Sequence, residues 1–272
     1  MSAAPDGTFA VAEDLASMLD IEQIDRDLFR AVHGVDAAER RSLFGGQVAA
    51  QALRAAGLTV ADDRHPHSLH GYFLRPGRPE RPVILHVDRD RDGRSFSARH
   101  VAAVQDGEVI FSMLASFHVE ESGGSLDAVP TADPLPALSP SHTGTDMPVL
   151  MLELRDVPRE GATAEQFPAD RLWVRVAHPF AGDRMLRACA LAYISDLGSG
   201  FRRLEEPGLP GGGPSIDHSV WFHEPVAVDD WLLLELWPAK AGGARGVYFG
   251  SLRDRDGRLA ALIAQEMLLR AQ

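Results

Sequence analysis

The two halves of this chain resemble each other, and that repetition limits its folding options more than any other feature. Residues 106–117 (DGEVIFSMLASF) find a counterpart in residues 256–267 (DGRLAALIAQEM), with the two Asp-Gly pairs 150 positions apart. Upstream, residues 71–76 (GYFLRP) parallel residues 220–225 (VWFHEP), with Phe73 and Phe222 separated by 149. Two matches at nearly one offset point to duplication of a unit of roughly 100 residues. Chance likeness between two β-hairpins is the competing explanation at this level.

A Pro-rich stretch divides the halves. Residues 121–170 hold 7 of the 18 prolines, and frequent Pro blocks both helix interiors and central strands. The expected organisation is an N-terminal domain over residues 1–120, a linker over 121–170 carrying one short strand at 149–154, and a C-terminal domain over 171–272. Each domain reads as one helix followed by strands. Residues 46–56 (GQVAAQALRAA) are strong helix formers ending at Gly57, a natural helix stop. Residues 183–194 (DRMLRACALAYI) are helical and apolar nearly all round, which predicts burial. Strands are expected at 68–75, 82–90, 95–104 and 109–118, then at 217–223, 230–237, 245–253 and 259–269. Asp-Gly pairs at 92–93, 106–107 and 256–257 mark tight turns between them. Connections this short demand antiparallel pairing. The fold class is therefore α+β, an antiparallel meander in each half with one face on a central helix.

Composition excludes several functions. The 272 residues are 45% hydrophobic and 24% charged, enough for a sizeable core, and the net charge is -12. An acidic chain gains little from releasing phosphate counterions, so no nucleic-acid partner is expected, and an anionic membrane surface is disfavoured likewise. No run of about 20 apolar residues occurs, and the first residues (MSAAPDGTFAVAEDL) lack the basic-then-apolar pattern of a secretory signal. The single cysteine, Cys189, can form neither an internal disulfide nor a Cys-based zinc site. A cytoplasmic protein is expected. No serine-hydrolase elbow and no phosphate-binding glycine loop is present. The glycine-rich run 208–214 reads as a loop. His65, His67 and His70 match no metal-ligand spacing and read as strand-edge histidines, and Cys189 as a buried structural thiol.

Two residues look chemical. Asp196 closes an apolar helix, at the negative end of its dipole, where burial would raise its pKa and make it a better base. The competing account is a solvated capping Asp. Gln265 lies inside the apolar run 259–269, whereas its counterpart at the 150 offset is Ala115. A buried amide needs partners, so one half carries a polar group where the other carries a methyl; an edge-strand amide facing solvent is the alternative.

Several segments together resemble the acyl-CoA thioesterase II family: residues 44–53 (FGGQVAAQAL), 72–77 (YFLRPG), 91–99 (RDGRSFSAR), 216–223 (IDHSVWFH) and 264–266 (AQE). The resemblance implies a double hotdog fold, in which two tandem antiparallel sheets each wrap a central helix. It implies hydrolysis of fatty acyl-CoA by a water positioned by Asp196, Ser215 and Gln265, most of the catalytic residues thus lying in the C-terminal domain. No cofactor and no metal is implied, and a homodimer or higher homo-oligomer is expected. With that substrate in mind, Gly45 and Gly46 at the opening of the first helix are candidates for oxyanion stabilisation. Arg75, Arg78 and Arg81, a basic cluster in an acidic chain, are candidates for the CoA phosphates, with solvated strand-end charges as the competing account. Two rival readings stand beside it. One is a hotdog hydratase or dehydratase acting on enoyl-CoA, with His218 as acid–base partner; the other is a non-catalytic acyl-CoA-binding module.

Overall fold

The computed structural model describes residues 12–31, 41–129, 131, 135–138, 151–157, 169–202 and 210–270. A single turn of helix, α1 (Leu15–Met18), precedes a short hairpin of β1 (Glu22–Asp25) and β2 (Leu28–Ala31). Helix α2 (Gly45–Gly57) follows, then strands β3 (Arg64–Phe73), β4 (Val83–Asp92), β5 (Phe96–Gln105) and β6 (Glu108–Val119). The second half repeats the order: hairpin β7 (Leu152–Asp156) and β8 (Asp170–Val176), helix α3 (Arg184–Ser195), then β9 (Asp217–Phe222), β10 (Leu232–Gly242), β11 (Arg245–Asp254) and β12 (Leu259–Leu268). The two long helices and the eight strands anticipated from the sequence are present. What differs is the hairpin ahead of each long helix. The strand expected at 149–154 corresponds to β7, which starts three residues later and ends two later, with positions 149 and 150 outside the described residues.

Nor are the strands divided into two separate sheets. They form one continuous antiparallel sheet of 12, in the order β1-β2-β4-β5-β6-β3-β9-β12-β11-β10-β8-β7. The seam between the halves is the β3–β9 pair, and its register exposes the duplication. His70 lies opposite Ser219, and these two positions are 149 apart, the offset already seen for Phe73 and Phe222. A pseudo-two-fold axis therefore passes between equivalent residues, whose side chains meet at 3.0 Å (His70 Nδ1 to Ser219 Oγ).

Turn chemistry follows the sequence in part. Asp106 and Gly107 both take positive φ, +50° and +79°, the geometry a two-residue hairpin requires. The β10–β11 turn does the same with Gly243 and Ala244, a pair carrying no Asp-Gly signal. Positions 210–214 of the glycine-rich run form neither helix nor strand.

One apolar core runs through both halves. The Ala residues of α2 (Ala49, Ala50, Ala52, Ala55 and Ala56) are fully buried, and such small side chains let α2 approach both the sheet and α3. Arg99 fixes the far end of α2. It is buried, donates to the Thr59 Oγ1 and carbonyl at 2.8 and 3.0 Å, and pairs with Asp92 at 2.6 Å. Part of the Pro-rich stretch is fastened to the second half. Asp127 pairs with buried Arg253, and Thr131 donates to Glu235 at 2.6 Å. Leu135 and Leu138 pack on a small cluster around Trp173 and Trp231. No helix among the described residues is long and apolar enough to cross a membrane.

Candidate active site

The site begins with two helix ends that solve each other's problem. Helix α3 opens on a conventional cap, the Asp183 carboxylate accepting the Leu186 N–H at 2.8 Å. It closes on Asp196, whose carboxylate would face the negative end of its own helix. Helix α2 has the opposite deficit. Its N-cap is Phe44, which offers no side-chain hydrogen bond to the first amides, leaving orphan donors. Asp196 fills that gap across the two halves: the Gly46 N–H donates to its carboxylate. Close approach demands glycine at both positions. A Cβ on Gly45 would stand 2.6 Å from Asp196 Oδ2, and one on Gly46 would stand 2.5 Å from the Tyr193 carbonyl.

Three further side chains surround Asp196. Strand β12 carries Gln265, whose Nε2 donates to Asp196 Oδ1 at 3.0 Å and to Ser215 Oγ. Both hydrogens of that amide are thereby committed. Ser215 lies just before β9, where residues 214–217 run along β12: the Ile216 N–H donates to the Glu266 carbonyl and the Leu268 N–H to the Pro214 carbonyl. That track holds Ser215 Oγ 3.4 Å from Asp196 Oδ1. Behind Gln265 stands His218 on β9, fully buried. Its Nδ1 meets Gln265 Oε1, and its Nε2 lies 2.8 Å from Ser195 Oγ, the last residue of α3.

Burial sets the charge states. Asp196 is 9% exposed. Its carboxyl is pushed above the usual carboxylate range by burial, against the opposing pull of His218, Gln265, the Gly46 N–H and Ser215. His218 is pushed below the usual imidazole range by burial, although Asp196 and Gln265 pull it back. Burial pushes the Cys189 thiol, in mid-helix, up to about 12, so it is inert as expected.

Asp196 and Ser215 open onto a cavity of about 600 Å³ between the halves. Its apolar wall comes from the N-terminal half, chiefly Leu43, Phe44, Val48, Phe73, Ile110 and Phe111. Of the glycine pair, Gly45 lines the cavity and Gly46 does not; the Gly46 amide is occupied by Asp196. Gln265, at 2% exposure, sits behind the cavity surface. The arginines separate. Arg75 lines the cavity and pairs with Glu108 at 2.6 Å, while Arg78 and Arg81 lie on a loop against Asp106, at 3.1 and 3.9 Å. His65, His67 and His70 lie on β3; His67 bonds Ser116 and His70 bonds Ser219.

The polar cluster belongs to one half only. In β9–β12, Ser219 lies opposite Ala264, so His218 comes opposite Gln265 one step along. The corresponding pair in β3–β6 is Leu69 opposite Ala115, and both are fully buried. The signal that could have found His218 is thus an imidazole on an inward-facing position whose duplicate is leucine.

Two family models match this chain, the acyl-CoA thioesterase N-terminal domain over residues 36–118 and the acyl-CoA thioesterase C-terminal domain over residues 126–269. The chain belongs to the acyl-CoA thioesterase family. It is a thioester hydrolase. It is 36% identical to acyl-coenzyme A thioesterase 8 of Rattus norvegicus, covering 95% of this chain and 89% of the rat protein. It is 33% identical to acyl-CoA thioesterase 2 of Haemophilus influenzae, covering 96% and 98%. Among solved structures, the acyl-CoA thioesterase II TesB2 of Mycobacterium marinum superposes with a TM-score of 0.80 at 37% identity, over 95% of this thioesterase and 97% of that chain. A hot dog fold protein of Alicyclobacillus acidocaldarius superposes at 0.72 with 20% identity, over 95% and 98%, which shows the same fold.

Proposed function

We propose that this thioesterase hydrolyses fatty acyl-CoA to a free fatty acid and CoA by direct attack of water, with Asp196 as general base. The observation that carries this reading is a buried carboxylate opening, beside a hydroxyl, onto an apolar cavity. Asp196 takes a proton from water, and the hydroxide attacks the thioester carbonyl. The tetrahedral oxyanion collapses and expels the CoA thiolate, which then receives the proton from Asp196. A thiolate whose conjugate acid has a pKa of about 8.5, on the cysteine scale, leaves without strong acid assistance. Ser215 shares the water, and Gln265, with both amide hydrogens spent on Asp196 and Ser215, fixes these two rather than the water itself. The amide of Gly45, at the positive end of α2, is the element suited to the oxyanion.

The rival readings fare worse. A hydratase would need His218 at the substrate, yet His218 is fully buried behind Gln265. A binding module has no use for a desolvated carboxylate, which burial makes costly. The reading also takes the fold as a double hotdog, each half being one hairpin, one helix and four further strands of the common sheet. It includes a cytoplasmic setting and self-association. A row across the outer sheet face, Leu114, His70, Ser219, Ala264 and Phe249, holds no carboxylate, Lys or Arg and would suit a second copy.

Thiol release from a panel of acyl-CoAs tests the activity, and the chain length hydrolysed fastest sizes the cavity's natural occupant. In the same assay Ser215→Ala is expected to lower kcat by about 10- to 100-fold, the loss associated with one hydrogen bond to a charged group; undiminished kcat would remove Ser215 from the mechanism. Arg75 lines the cavity, which supports giving it, of the cluster, the CoA phosphate. Arg75→Ala is expected to raise KM several-fold with kcat unchanged, an effect that shrinks as salt screens the wild-type contact. An unchanged KM at low salt would leave Arg75 as a partner of Glu108 alone.

A further inference from the structure

We propose that His218 is a positioning residue: its Nδ1–H holds the side-chain oxygen of Gln265, and this keeps the Gln265 nitrogen turned toward Asp196 and Ser215. The proposal rests on the hydrolytic reading above and adds a layer behind it. Four groups stand in line from Ser195 at the end of α3, through His218 and Gln265, to the Asp196–Ser215 pair at the cavity.

Hydrogen counting sets the orientation of Gln265. An amide can sit in its slot in two orientations, chosen by its neighbours. An ionised Asp196 only accepts, so a flipped Gln265 would set its carbonyl oxygen against the carboxylate. Ser215 can donate or accept and so does not oppose that flip, whereas the His218 ring adds a second restraint from the far side of the amide. With hydrogen on Nδ1, the imidazole can bond only the amide oxygen; with hydrogen on Nε2 alone, it would attract the amide nitrogen and favour the flipped state. The Ser195 hydroxyl is linked to this tautomer. Its single hydroxyl hydrogen has two acceptors in reach, the Ala192 carbonyl at 2.9 Å and His218 Nε2 at 2.8 Å. Given to Nε2, it leaves the ring hydrogen on Nδ1; given to the Ala192 carbonyl, it would make Ser195 Oγ accept from Nε2–H and leave Nδ1 bare, so a Gln265 nitrogen turned to Asp196 and Ser215 requires the first arrangement. Burial, which keeps the imidazole neutral, makes that choice sharp.

Duplication supplies a control within the molecule. The half without Asp196 carries Leu69 where this half carries His218, and Ala115 where it carries Gln265. Leu69 is fully buried at the equivalent strand position. The fold therefore accepts an apolar side chain there, and the imidazole answers to the site rather than to packing.

Two measurements test this. In the nitrogen-15 spectrum of the wild-type enzyme, the His218 ring, assigned by the signal missing from His218→Asn, is expected to be protonated at Nδ1 near neutral pH. A ring bare at Nδ1 overturns the proposal. In thiol release, His218→Leu is expected to lower kcat by about tenfold or more with KM little changed, reflecting a lost hydrogen bond in a buried network. His218→Asn, whose amide hydrogens fall where Nδ1–H stood, is expected to recover most of that loss. Full kcat in the leucine variant, or no recovery in the asparagine variant, overturns the proposal. Should the leucine variant not fold, the wild-type spectrum and the asparagine variant decide alone. These outcomes are separate from failure of the hydrolytic reading, which would show as absent thiol release from wild type or as full activity in Asp196→Asn.

Discussion

Asp196→Asn is expected to lower thiol release from acyl-CoA by about 100-fold or more while substrate still binds, the range lost with a general base. The substitution keeps the shape of the side chain and its place between the two helix ends, so the loss reports on the proton acceptor. Wild-type activity should also fall as pH drops through the pKa of Asp196, because the protonated acid cannot accept from water. Burial places that fall above the usual carboxylate range. Stability should move the other way. A carboxyl whose native pKa is raised binds more protons folded than unfolded between the two values, so stability declines as pH rises through that window and stays lower above it. At neutral pH the variant escapes the cost of a buried charge but offers one accepting oxygen where the carboxylate offers two, so its Tm is expected within a few degrees of wild type. A variant that is both inactive and far less stable would mean that the carboxylate serves the fold. One that hydrolyses at the wild-type rate would remove Asp196 from the chemistry.

Much of this site was legible because it breaks local rules. Asp at the wrong end of a helix and Gln in an apolar strand are the positions where a sequence disagrees with its own pattern, and such disagreements concentrate at functional sites. Duplication made them easier to see by supplying Ala115 as the reference for Gln265. The compensation was not legible. That the Gly46 amide would meet Asp196 depends on how α2 docks on α3, a contact between residues 150 apart that neither helix announces. His218 was legible only as the acid–base candidate of the rival hydratase reading, whereas its partners Ser195 and Gln265 come from other segments. The arginine cluster was legible only as one basic patch; that Glu108 pairs with Arg75 while Asp106 faces Arg78 and Arg81 depends on the hairpin that brings distant residues beside them.

The fold shows the same division. Long, periodic elements were readable, while of the hairpins before the helices only β7 was. Strand β1 is four residues (EQID), three of them exposed, so it has no alternation to detect. Strand β8 starts at Asp170, two residues after Pro168, in a stretch whose composition suggests a linker. The continuous sheet was hidden for another reason. Pairing of β3 with β9 leaves no local trace, because it satisfies two edges that would otherwise be open, a need that belongs to the assembled sheet.

Gly46→Ala is the second substitution expected to act strongly, and it probes the junction rather than the base. The added methyl would stand 2.5 Å from the Tyr193 carbonyl and 2.6 Å from the Phe44 ring. The ring can turn; the carbonyl belongs to α3 and cannot move without the helix. Alanine is the better helix former by about 1 kcal/mol, so propensity alone predicts a more stable protein. Overpacking against backbone opposes it with about 1–3 kcal/mol, and the displaced Gly46 N–H forfeits a bond to a charged acceptor. The clash is expected to win, lowering Tm by several degrees. Activity should suffer beyond the stability loss, because moving the amide away from Asp196 removes a donor that favours the charged carboxylate. The acid limb of the pH–rate profile is then expected to shift to higher pH, with kcat at neutral pH lower by about tenfold, as one such bond implies. A variant with raised Tm and an unmoved profile would show that α2 and α3 do not meet through this amide. The same substitution at Gly57, at the far end of α2, meets only the flexible Met185 side chain and should leave the profile where it is.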